Sequence, residues 1–106
     1  MFCVDRSNSY DRSLYAPVAT EDVYRRIWVP TATRLGADLM LRFGIGVEIG
    51  EEDFPKLAGE LSLLDAEIQQ DTLIEERAHI AQRIERLITE LGKVFQENPK
   101  ARMYIG

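Results

Sequence analysis

Residues 54–97 read FPKLAGELSLLDAEIQQDTLIEERAHIAQRIERLITELGKVFQE, and the period of this stretch decides the fold. Phe54, Leu57, Leu61, Leu64 and Ile68 recur at three- and four-residue steps, the spacing of one apolar face of a helix. The phase then breaks, because continuing the same seam would bury Asp71, Glu75 and Gln82. A second stripe takes over: Ile74, Ala81, Ile88 and Phe95, joined by Ile84 and Leu91 and widened by a parallel row of Leu73, Ile80, Leu87 and Val94. Two helices, at about 54–69 and 73–97, joined as an antiparallel hairpin, account for the break better than one long rod. Thr72 and Glu75 have the spacing of a capping box and predict where the second helix starts. Asn98-Pro99 predicts where it stops. The second stripe is wider than a two-helix seam needs, so that helix is expected to touch both its partner and a sheet.

Moving outward toward the C-terminus, Ala101, Met103 and Ile105 alternate with Arg102 and Tyr104 as in a closing strand. Upstream, Asp38-Leu39-Met40-Leu41-Arg42-Phe43 and Val47-Glu48-Ile49-Gly50 flank Gly44-Ile45-Gly46, which predicts a β-hairpin with glycine at its turn. A helix over 37–43 is the competing reading, since Leu and Met are good helix formers. Thr20-Glu21-Asp22 opens a helix whose inward row is Val23, Ile27, Thr31 and Leu35, with Trp28 and Ala32 beside it. Pro30 is expected to kink or divide that helix, and Gly36 to end it. Near the start, Phe2-Cys3-Val4 and Ser13-Leu14-Tyr15-Ala16 are both strand candidates, with turn chemistry at Ser7-Asn8-Ser9 and Asp11 between them. The predicted class is α+β: a small, mainly antiparallel sheet with helices on one face, in one domain spanning residues 1–106.

Composition narrows function by exclusion. The chain has 106 residues with 45% hydrophobic and 29% charged side chains, ordinary for a soluble domain. No apolar run approaches the ~18–20 residues of a membrane span. The start does not read as a secretory signal, so a cytoplasmic location is expected. Residues 1–50 carry six basic and six acidic side chains; residues 51–106 carry seven and twelve, which supplies the whole net charge of -5. Nucleic-acid binding begins with a concentrated positive surface, and the imbalance here has the opposite sign. A basic protein partner is the complementary expectation.

The chemistry-bearing residues are few. His79 is the single histidine, in a Glu76-Arg77-Ala78-His79 spacing that resembles half of a carboxylate-bridged di-iron motif. Its phase points it roughly 160° away from Ala81 at about 100° per residue, toward water beside Glu75 and Arg83. Cys3, the lone cysteine, has no base in reach and is expected to be a packed thiol. Glu48, Glu51, Glu52 and Asp53 form the densest acidic cluster, just before a helix start where acids favour the dipole. These readings assign no catalytic residue, no metal and no cofactor. Aromatic residues are concentrated early, five of nine (Phe2, Tyr10, Tyr15, Tyr24, Trp28) lying in the first 28 residues among Arg6, Arg12, Arg25 and Arg26. Tyr, Trp and Arg are the side chains of binding hot spots. Tyr15, Tyr24, Arg25, Arg26 and Trp28 are therefore the expected partner-binding set. The function expected from this pattern is a non-catalytic protein-interaction module, of which small acidic immunity or antitoxin proteins are one instance. A homo-oligomeric structural or small-ligand-binding domain is the alternative, with homodimer formation through an uncovered face. A small enzyme working through carboxylates or tyrosine is the remaining class.

Overall fold

Cys3, Ala16, Met103, Ile105 and Ile49 have no solvent-exposed surface, and they come from four short strands that meet in one antiparallel sheet. The computed structural model describes residues 1–5 and 15–106. The strands are β1 (Phe2–Asp5), β2 (Tyr15–Pro17), β3 (Val47–Ile49) and β4 (Met103–Ile105), in the order β2-β1-β4-β3. Cys3 stands opposite both Ala16 and Ile105, Ile105 opposite Val47, and Met103 opposite Ile49. Because successive residues alternate faces, this register gathers the small and branched side chains on one side. The helices pack on that side. Both strand candidates near the start are strands, paired with each other; Ser13, Leu14 and the turn residues Ser7, Asn8, Ser9 and Asp11 lie outside the described residues.

The helical hairpin is α4 (Phe54–Gln70) and α5 (Arg77–Glu97). Leu57, Leu61, Leu64 and Ile68 of α4 and Ile80, Ile84, Leu87, Leu91 and Phe95 of α5 are buried. Helix α5 packs on α4 and also reaches β2, as the width of its stripe requires. Phe54 and Phe95 close one end of the hairpin with ring centroids 5.8 Å apart.

Two local expectations are corrected. Helix α5 starts at Arg77 rather than 73, and Thr72 and Glu75 form no capping box: Asp71 Oδ1 accepts the Leu73 N–H instead, and Leu73 is 89% exposed. The competing contacts are cross-hairpin. Gln69 donates to the Arg77 carbonyl and Arg77 to the Gln69 carbonyl, which sets the first turn of α5 against the last turn of α4. The stretch 38–50 is not a hairpin either. Residues Asp38–Leu41 form a short helix, α3, and β3 pairs with β4 across the sheet. Leu39, Met40 and Phe43 are all buried, which a helical turn achieves and an alternating strand cannot. The α3 amides of Leu39 and Met40 find their acceptor in Glu60 Oε1 of α4, at 3.1 and 3.2 Å. The glycines serve the exit from this helix: Gly46 takes φ +92°, its backbone passing against the ring of Tyr104.

The helix after Thr20 runs as α1 (Glu21–Val23), a π turn (Tyr24–Trp28) and α2 (Val29–Leu35). Thr20 Oγ1 accepts the Val23 N–H at 3.2 Å, and Gly36 ends α2 with φ 69°. Pro30 stands at the start of α2, where the π turn gives way to regular helix, so the helix changes type at the proline. A proline ring collides with the carbonyl four residues back, and the wider turn ahead of it relieves that crowding: the Val29 N–H bonds to the Tyr24 carbonyl, five residues away.

Candidate functional site

Four of the five expected partner-binding residues fall within the π turn, and the turn sorts them. Tyr24, Ile27 and Trp28 face the core, while Arg25 and Arg26 face solvent. Tyr24 and Trp28, four residues apart on one face, both reach Phe43. Ring centroids lie 6.2 Å apart for Tyr24–Trp28, 6.4 Å for Tyr24–Phe43 and 6.2 Å for Trp28–Phe43, in the range of favourable aromatic contacts. The Tyr24 hydroxyl donates to the Met40 carbonyl. Burial raises the phenol above its ordinary range, partly opposed by the Gly44 backbone amide. Tyr24 and Trp28 are therefore core residues and not surface anchors. Residues four apart share a helix face, so Tyr24 turns inward with Trp28, which the sequence already places beside the buried row. The side chain of Tyr15 lies outside the described residues; its backbone stands opposite Val4.

The two arginines differ. Arg26 bonds Asp22 at 3.1 Å and Glu76 at 3.4 Å, joining the π turn to the segment ahead of α5. These carboxylates, Asp22 first, raise the guanidinium pKa further above its normal value. Arg25 has no ion pair among the described residues and lines a cavity of about 320 Å3 with Glu21, Tyr24, Val29, Phe43 and Gly44.

The face of the sheet turned away from the helices is a second surface. Phe2, Val4, Pro17, Tyr104 and Glu48 share it by register: Phe2 opposite Pro17, Val4 opposite Tyr104, Tyr104 opposite Glu48. Phe2 is 40% exposed, and Val4, Pro17 and Tyr104 are partly exposed. At its β3 end Arg102 bonds Glu48 at 3.2 Å and Glu52 at 2.8 Å. Glu52 titrates below the usual carboxylate range, because its own backbone amide and then Arg102 favour the ionised form. Asp53 Oδ2 accepts the Gly50 N–H at 3.0 Å. The acidic cluster of 48–53 is thus spent largely on a helix start and one ion-pair network.

Cys3 is buried in the sheet. His79 is exposed, as its helical phase requires, and its Nε2 accepts the Nε–H of Arg83 at 3.2 Å. Among the described residues no group of three or more His, Cys, Asp or Glu is placed to hold a metal ion. No helix is long and apolar enough to cross a membrane. Sequence reasoning missed Glu60, which is buried with Oε2 unpartnered, although its place three residues after Leu57 and four before Leu64 put it on the buried seam. It also missed that Phe2 and Tyr104 share a surface, which only the strand order shows. Compared with protein families, curated proteins and solved structures, the chain matches none.

Proposed function

We propose that this chain is a non-catalytic protein-binding module that receives a basic protein partner across the outer face of its sheet. The observation that carries the reading is the strip Pro17–Phe2–Val4–Tyr104. It is apolar and runs across three strands, with Phe2 40% exposed and Val4, Pro17 and Tyr104 partly exposed. An apolar strip with polar residues beside it is the composition of an interface centre and its rim. Charge selects the partner: the net charge of -5, supplied by residues 51–106, favours a positively charged protein and would speed its approach. The anchors are accordingly Phe2 and Tyr104, and Arg25 is the arginine of the expected set left for a contact. An immunity- or antitoxin-type role, blocking a basic effector, is the concrete form this takes.

A photo-crosslinking side chain at Val4, compared with one at Arg86 on the exposed face of α5, tests the reading in the native host. The expected result is an adduct with one basic protein from position 4 only, whose yield falls as salt screens the charges. Adducts of the chain with itself would replace this reading by homodimer formation. Adducts from both positions alike, or none from position 4, would overturn it.

A further inference from the structure

A cavity of about 230 Å3 opens between the β2 edge, the start of α1 and the first turns of α5. Ala19, Val23, Trp28 and Ile80 supply apolar wall, and the ionisable side chains in the wall are His79 and Arg83. Neither of these can carry negative charge. The Arg83 Nε–H is taken by His79, which leaves the terminal guanidinium nitrogens as donors. Trp28 is buried, and its indole N–H has no hydrogen-bond partner among the described residues. That N–H is closed off from solvent, so Trp28 contributes apolar wall and the polar contact to a ligand falls to Arg83.

We propose that this cavity binds a small amphipathic carboxylate, an aromatic or short branched acid, with its apolar part against Val23, Trp28 and Ile80 and its anionic end at Arg83. Size supports this class: an apolar cavity of about 150 Å3 takes benzene, so this one accommodates roughly nine non-hydrogen atoms, the size of benzoate. Charge supports it too, since a planar guanidinium matches a carboxylate with two parallel hydrogen bonds. Phe2 and Pro17 border both this cavity and the sheet strip, so the two sites are neighbours, but the ligand contacts at Val23, Trp28, Ile80 and Arg83 do not rest on the sheet-face reading.

Because Trp28 is the only tryptophan, its indole N–H gives a single, unambiguous nitrogen–proton resonance. Titrating the folded chain with sodium benzoate is expected to shift that resonance and the Ile80 amide saturably. Benzamide, the neutral counterpart, should bind about tenfold more weakly, and Arg83→Gln should weaken benzoate by a similar factor, the size of one charge-assisted hydrogen bond. Ala19→Leu, which fills the cavity without touching Arg83, should abolish both shifts while the remaining spectrum keeps its dispersion. Shifts that never saturate, equal binding of benzoate and benzamide, or undiminished binding to the filled cavity would overturn the proposal. The benzamide and Ala19→Leu arms decide the matter even if Arg83→Gln fails to fold.

Discussion

Replacing Glu60 by alanine should unlatch α3 from α4. Helix α3 is only four residues long, with Ala37 at its N-cap position and no side-chain cap of its own, so its buried amides depend on a carboxylate 20 or 21 residues away. Removing that acceptor leaves the Leu39 and Met40 N–H groups unsatisfied at about 1–3 kcal/mol each, a gross loss of about 2–6 kcal/mol. Part is recovered, because the alanine variant no longer buries a carboxylate whose Oε2 has no partner. The net expectation is about 2–4 kcal/mol, lowering the melting temperature by at least about 8 °C at ~4 °C per kcal/mol for a domain of this size. Glu60→Gln keeps an acceptor oxygen but not its charge, and should cost about 1 kcal/mol. Urea unfolding followed by far-ultraviolet circular dichroism gives both values, and hydrogen exchange at Leu39 and Met40 locates them. Stability of the alanine variant within about 0.5 kcal/mol of the parent, the range of an inconsequential surface change, would refute the latch. Unchanged exchange at those two amides would do the same.

Leu87, fully buried on α5, should cost about 2–5 kcal/mol on replacement by alanine in the same urea assay. Gly46→Ala combines a left-handed φ with a Cβ driven into the Tyr104 ring, so its loss should exceed about 2 kcal/mol. In a Tyr104→Ala background that loss should shrink toward the ~1 kcal/mol of backbone strain alone, and an unchanged loss would show that the ring plays no part. Burial raises the Tyr24 phenol above its unfolded value, so the unfolded chain loses that proton first. Its contribution to stability is therefore fully present below about pH 10 and disappears as pH rises through the folded value. Stability measured across that alkaline range should fall less steeply in Tyr24→Phe than in the parent, whose other tyrosines are common to both.

The helical hairpin was legible because its spacing speaks directly: Phe54, Leu57, Leu61, Leu64 and Ile68 are the residues the period selects, and all are buried except the partly buried Phe54. The class and the closing strand at Met103–Ile105 were legible for the same reason, through alternation. Asp38–Leu41 was not, since six residues with glycines beyond them satisfy a hairpin and a helical turn equally, and the deciding contact, Glu60, lies far along the chain. Thr72 and Glu75 had the right letters for a cap, but Gln69 and Arg77 won by bonding across the hairpin. At the candidate site, residue type picked out Tyr24, Arg25, Arg26 and Trp28, of which the two aromatics are buried and the two arginines exposed. Tyr24 and Trp28, four residues apart, turn inward together as the helical period allows; what that period does not show is the π turn itself. The apolar strip on the sheet joins residues 2 and 104, a proximity no local pattern encodes.

The pairing of β1 with β4 has a consequence for how the chain is made. Every β1–β4 contact spans about the full sequence, and Phe2 and Gly106 exchange backbone hydrogen bonds at 3.0 and 3.1 Å. The α4–α5 hairpin is local and can assemble on the ribosome, whereas β1 and β3 must wait for the strand that joins them. Until residues 103–105 emerge, the nascent chain holds two sticky strand flanks open to any neighbour. The emergence of residues 103–105 therefore governs its escape from aggregation far more than three positions would suggest.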